Sequence, residues 1–155
     1  MAPNALIAHV DAVWRAHEAS AGGVPDRVTL DPIELGSVAL PWAVLAAVEE
    51  TMPKLVLRYR LCGTGIAGLM GRDVGGASSE EVICSDNREV VLRPYSVTLH
   101  EQMPSFWESS VLHERMGWRP IYRGVWPYTH ASGAVAFFLN ITIPVTARSL
   151  RRPGM

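Results

Sequence analysis

The sequence predicts an α+β domain built on an antiparallel sheet of about five strands. Three observations carry this expectation. The apolar patterns run in the order helix, two strands, several short helices, three strands, whereas a parallel sheet would alternate strand and helix throughout. Residues 55–62 alternate cleanly, with Leu55, Leu57, Tyr59 and Leu61 on one face and Val56, Arg58, Arg60 and Cys62 on the other. Two arginines on the second face imply that it meets water, as in a sheet covered on one side. Finally, His130-Ala131-Ser132-Gly133 separates two strand-length runs in the manner of a hairpin turn.

The elements follow in order. Residues 4–20 read as an amphipathic helix in which Leu6, Ile7, Val10, Val13, Trp14 and His17 recur at three- and four-residue spacing. Asn4 is its N-cap and Ala21-Gly22-Gly23 its stop. The apolar stripe needs a cover, either its own sheet or a second copy; Leu6, Val10, Val13 and Trp14 are the candidate dimer interface. Asp31-Pro32-Ile33-Glu34-Leu35 reads as a cap and a short helix with proline at its first position. Residues 42–50 form the first strand, 51–54 a turn and 55–62 the second strand.

Thr64 is placed as the cap of a turn and a half that carries Ile66, Leu69 and Met70 and stops at Gly71. Ser78 with Glu81, and Asp86 with Glu89, match capping boxes. The second opens a helix toward His100. Pro94 falls inside it, and a proline costs about 3 kcal/mol in a helix interior, which predicts a kink or restart there. Strands at 105–114, 121–128 and 134–145 complete the sheet. The predicted organisation is a flanking helix at 1–23, one domain at 24–147 and a basic tail at 148–155.

Composition narrows the function. The 155 residues are 48% apolar and 19% charged, which suits one folded domain rather than a disordered chain. A formal charge of −1 provides no strong field for nucleic acid or anionic lipid. Two cysteines, Cys62 and Cys84, are too few for a disulfide scaffold and, sitting in apolar surroundings, read as buried free thiols. The start lacks the pattern of a signal peptide and no apolar run reaches a membrane span, so a cytoplasmic location is predicted, with neither membrane nor nucleic acid as partner.

Gly63, Gly65 and Gly68 spell G-x-G-x-x-G after a strand, the fingerprint of a dinucleotide-binding oxidoreductase, and 82–86 reads as a second strand ending in an acid at about the right distance. Against it, Gly71 stops the helix after about a turn and a half, too early to aim a long helix at a pyrophosphate. Arg58 and Arg60 also contradict a strand buried on both faces.

The segments Tyr59-Arg60-Leu61-x-Gly63-Thr64 and Gly71-Arg72-Asp73-x-x-Gly76 are similar to the centre of a PAS-like domain family common in alphaproteobacteria. Trp14, Pro25-Asp26-Arg27, Asp31-Pro32 and Leu40-Pro41 precede them at matching intervals, and Trp126-Pro127-Tyr128 with Ser132-Gly133 resembles the closing hairpin. Gly65 and the linker Met116-Gly117-Trp118 depart from the pattern. The resemblance implies five antiparallel strands in the order 2-1-5-4-3 with short helices over one face. It implies a non-enzymatic sensory or interaction module that holds a small ligand or a partner between helices and sheet. Signals would leave through the N-terminal helix of a homodimer toward a separate signalling protein.

Within that frame Gly63, Thr64, Gly71 and Gly76 are turn residues. Strand faces nominate Tyr59, Leu61, Ile66, Leu69, Met70, Val97, Trp126 and Phe138 as the lining of a ligand cavity. No cofactor is predicted, although haem, with His100 as the axial ligand, and flavin both stay open. No histidine has a partner at metal-ligand spacing. An alternative is a cone-shaped isomerase-like or small-molecule-binding fold, with His113 or Glu108 as the buried catalytic group. That fold would place its long helices first, whereas a PAS fold inserts short ones between the second and third strands.

Overall fold

In a computed structural model, which describes residues 4–113, 115–131 and 133–145, five strands pair antiparallel in the order β2-β1-β5-β4-β3. They are β1 (Ala43–Glu50), β2 (Val56–Cys62), β3 (Ser105–His113), β4 (Gly117–Thr129) and β5 (Val135–Pro144). Helix α1 (Ala5–Ala21) precedes the sheet, followed by 3-10 turns at Arg27–Thr29 and Pro32–Leu35, the short α2 (Gly36–Ala39) and a third turn at Leu40–Trp42. Between β2 and β3 lie α3 (Thr64–Met70), α4 (Ser79–Val82) and α5 (Arg88–Glu101). This insertion matches the expected α+β fold. It excludes the cone-shaped alternative, and the antiparallel pairing excludes the dinucleotide-binding one: residues 82–86, read as a possible strand, hold the end of α4 and a turn.

Local chemistry explains most boundaries. The Asn4 side chain accepts from the amides of Leu6 and Ile7, and Gly22 closes α1 in the left-handed conformation. Asp31 caps the turn that Pro32 opens, and Ser78 with Glu81 forms a complete capping box on α4. Two expected caps differ. Thr64 is the first helical residue of α3, and the residue before it, Gly63, makes no side-chain cap. At α5 the N-cap is Asn87 rather than Asp86, and its side chain is occupied across the fold: it donates to the Leu112 carbonyl (3.0 Å) and accepts from the Leu112 amide (2.8 Å).

Helix α5 runs unbroken through Pro94, contrary to the expected kink or restart. Proline lacks the amide that would serve the carbonyl four residues back, Val90. The Arg123 guanidinium of β4 fills that role instead, donating from Nη1 to the Val90 oxygen at 3.2 Å. Strand β4 also begins earlier than expected, at Gly117, so the unplaced Met116-Gly117-Trp118 linker is the end of a hairpin turn and the start of a strand.

The sheet is covered on both faces, which corrects the expectation of a water-facing side. One core packs Ile7, Val10 and Trp14 of α1, with Leu30, Leu35 and Ala39, against Leu45, Trp126, Tyr128, Leu139 and Ile141. The other packs Ile66, Val74 and Tyr95 against Val44, Ala46, Leu57, Tyr59, Val125 and Phe138. Of the two arginines read as solvent-facing, Arg60 is exposed, and Arg58 pairs with Glu49 and donates to the Gly76 carbonyl (2.9 Å). The two cysteines are free thiols but not the buried ones expected: Cys62 is half-buried and Cys84 exposed. Among the described residues no helix is long and apolar enough to cross a membrane. The expected basic tail at 148–155 lies outside the described residues.

Candidate ligand cavity

Alternation along β4 and β5 decides what faces the helices. On β4, Ile121, Arg123 and Val125 point to the α3–α5 side, while Tyr122, Trp126 and Tyr128 point to α1. On β5, Phe138, Asn140 and Thr142 share the α3–α5 side. Between that face and the helices is a cavity of about 380 Å³. Its apolar wall comes from Val44, Ile66, Leu69, Val74, Val91 and Ile121, and its mouth from Asn87, His113 and Arg115. The size and mix of wall are those of small-molecule sites, which are mostly apolar with a few placed polar groups.

The polar wall is a network centred on Arg123, which is only 3% exposed. Its Nε donates to Asn140 Oδ1 at 2.5 Å, and Asn140 Nδ2 donates to Thr142 Oγ1 at 2.9 Å. The guanidinium carbon lies 4.7 Å from the centre of the Tyr95 ring, a cation–π arrangement. Burial pushes the Tyr95 phenol above its ordinary range, and the positive Arg123 beside it pulls part of the way back. Burial raises Tyr59 in the same way. Both phenols are therefore neutral hydrogen-bonding groups at physiological pH.

Of the eight residues nominated as a ligand lining, the structure places Tyr59, Ile66, Leu69 and Met70 on the wall of this cavity. It places the other four elsewhere. Leu61 is 36% exposed because β2 carries a one-residue bulge at Arg60; Leu45 pairs with Leu61 and the next residue, Ala46, with Tyr59. A bulge reverses the alternation, so Cys62 rather than Leu61 joins the helix-side core. Val97 is two residues past Tyr95, about 200° around the helix, and lies outside the lining. Trp126 is on the opposite face, where its Nε1 donates to Asp11 Oδ1 (3.0 Å). Phe138 is on the correct face but sealed behind Tyr95, ring centres 5.2 Å apart, and does not reach the cavity.

The sequence reading missed Tyr95, Arg123, Asn140 and Thr142. The signal was present: polar residues at alternate positions of otherwise apolar strands, Ile121-x-Arg123-x-Val125 and Phe138-x-Asn140-x-Thr142.

The turn residues have concrete roles. A Cβ on Gly63 would lie 2.4 Å from the carbonyl oxygens of Leu40 and Pro41, and one on Gly65 would lie 2.7 Å from the Trp42 ring. The first two glycines of the fingerprint thus admit the 40–42 turn, not a pyrophosphate. Gly71 and Gly76 both hold positive φ, 83°. Val10 and Trp14, placed at a dimer interface, are instead fully buried on their own sheet, with Trp14 Nε1 donating to the Pro127 carbonyl at 2.8 Å. Leu6 and Val13 are half-buried.

His100 is exposed in the last turn of α5, outside the cavity, which removes it as a haem ligand there. His113 Nδ1 accepts from the amides of Arg115 and Met116, so it shapes the β3–β4 turn, and Glu108 is exposed; neither is the buried catalytic group of the alternative reading.

This sheet order, with short helices inserted after the second strand and a cavity beneath them, defines a small α+β module with an interior cavity. The model of the PAS domain family matches residues 2–116, and the chain belongs to that family. All of β4 and β5, with Arg123, Asn140 and Thr142, lies beyond the matched span. The PAS domain of BvgS from Bordetella pertussis superposes with a TM-score of 0.52 at 19% identity, over 77% of this chain and 90% of that one. The light-state structure of the blue-light photoreceptor Aureochrome1 LOV gives 0.51 at 11% identity, over 72% and 86%. No curated protein matches the chain.

Proposed function

We propose that this chain is a sensory PAS module that binds a small ligand between its sheet and α3–α5 and passes its state to a partner protein without catalysis. The observation that supports this reading is the cavity of about 380 Å³, on which Arg123, Asn140, Thr142 and Tyr95 converge. The route outward is β4. Arg123 faces the cavity, and three and four residues on, Trp126 and Pro127 hold α1 through Asp11 and Trp14 respectively. A ligand that shifts β4 therefore bears directly on the helix at the other face of the sheet. In this reading the module works in the cytoplasm as a homodimer, and its contact surface is not the inward-facing Val10 and Trp14.

Native mass spectrometry and absorbance of the purified protein test the reading. A carried small molecule, or a ligand that raises the melting temperature and alters amide exchange in α1, is the expected result. A protein that carries nothing, and whose melting no member of a broad metabolite library shifts, overturns it.

A further inference from the structure

We propose that the ligand of this cavity is a carboxylic acid with an apolar body, its carboxylate held by Arg123 with Asn140 and Thr142 beside it. The inference rests on the sensory reading above and names the chemistry it would recognise.

The observation is a buried charge without a counter-charge. Arg123 is 3% exposed, and among the described residues no carboxylate lies within ion-pairing distance of it. Among the described residues it donates to Asn140 Oδ1 and the Val90 carbonyl, both neutral, and sits against the neutral Tyr95 phenol. A neutral amide side chain could donate to such acceptors; nothing in them calls for a guanidinium. The Tyr95 ring compensates a cation only in part. A buried charge is normally paired or neutralised, and arginine cannot lose its proton.

The rest of the lining has the same bias. Its charged side chains among the described residues are Arg123 and, at the mouth, Arg115, with His113 next to it; none is acidic. Among the described lining residues an anion therefore meets only positive or neutral groups.

The anion is a carboxylate because one buried guanidinium balances one negative charge and its planar fork matches two carboxylate oxygens. A phosphate monoester would bring a second charge for which the interior holds no partner. The remaining wall, Ile66, Leu69, Val74, Val91 and Ile121, is aliphatic and fits a hydrocarbon body.

Matched pairs read this directly. Decanoate and 4-phenylbutyrate, below any micelle concentration, are compared with decanol and 4-phenylbutanol by calorimetry and thermal shift on the full chain. At least one acid is expected to bind tenfold or more tightly than its alcohol. Arg123→Met, close in volume and uncharged, is expected to erase that preference while still binding the alcohol. Arg123 also serves the Val90 carbonyl, so if the variant fails to fold, the acid–alcohol comparison on the unaltered protein decides alone. Alcohols that bind as well as the acids overturn the carboxylate proposal and leave the sensory reading standing. So does a co-purifying compound without a carboxylate. If no acid binds, the carboxylate proposal falls, and if in addition nothing co-purifies and the broad metabolite library shifts nothing, the sensory reading falls with it.

Discussion

Gly63, Gly65 and Gly68 look alike in sequence and are unlike in structure, so they make a sharp test at the scale of single residues. A methyl group at Gly63 collides with two backbone carbonyls and one at Gly65 with the Trp42 ring and the Pro41 carbonyl, while one at Gly68 meets nothing within 4 Å. Gly63→Ala and Gly65→Ala are each expected to lower stability by about 1–3 kcal/mol in urea melts, the usual range for overpacking. Gly68→Ala, inside α3, is expected to raise it by about 0.5–1 kcal/mol, the helix propensity difference. A nucleotide site would make the third glycine as intolerant as the first two. A second residue-scale expectation concerns the phenols. Burial raises Tyr59, Tyr95 and Tyr128 above their ordinary value near 10, so above that pH the unfolded chain releases protons that the folded chain keeps. That stability is present below pH about 10 and is lost as pH rises beyond it. Denaturant melts at pH 8 and pH 11 check the sign, and Tyr59→Phe should weaken the dependence.

At the scale of elements, α5 shows what local sequence signals leave out. Its start was read from an Asp86–Glu89 capping box and its middle from the proline rule, and both readings missed partners far along the chain. Asn87 caps nothing locally because its amide bonds both backbone groups of Leu112, tying the helix to the outer strand β3. Pro94 breaks nothing because Arg123 serves the carbonyl it orphans. Asn87→Ala should therefore cost about 1–3 kcal/mol, the usual price of unpaired buried polar groups. Asn87→Asp should fall between, since a carboxylate can accept from the Leu112 amide but cannot donate to its carbonyl; equal losses in the two variants would argue against this double bond. Strands and their faces were legible wherever alternation was unbroken, as in Leu57 and Tyr59. They failed at the Arg60 bulge, which nothing in the residue types announces. Helix ends read well where the cap is a neighbour in sequence, as at Asn4, Asp31 and Ser78.

At the scale of the whole molecule, the predicted division into a flanking helix at 1–23 and a domain at 24–147 meets a core with two sides. The periodicity of α1 announced an apolar stripe but could not say what covers it; strand alternation on β4 held the answer, since Trp126 and Tyr128 lie opposite Arg123 and need a partner on their own face. Ile7, Val10 and Trp14 supply it and are fully buried. Fully burying an aliphatic side chain contributes about 1.5–3 kcal/mol, and removing a buried tryptophan costs about 3–5 kcal/mol. Together these three side chains rival the whole net stability of an ordinary domain, about 5–15 kcal/mol. A chain starting at residue 24 would also uncover Trp126, Tyr128, Leu139 and Ile141 as one apolar face. It is expected to be unfolded or aggregated, judged by size-exclusion chromatography and the dispersion of its amide spectrum, and Trp14→Ala in the full chain should lose about 3–5 kcal/mol. A monomeric 24–155 fragment with a cooperative melt near that of the full chain would show that α1 is an appendage after all. If instead the fragment fails, the helix and the cavity are two sides of one cooperative unit, and no occupant of the cavity can move β4 without α1 registering it.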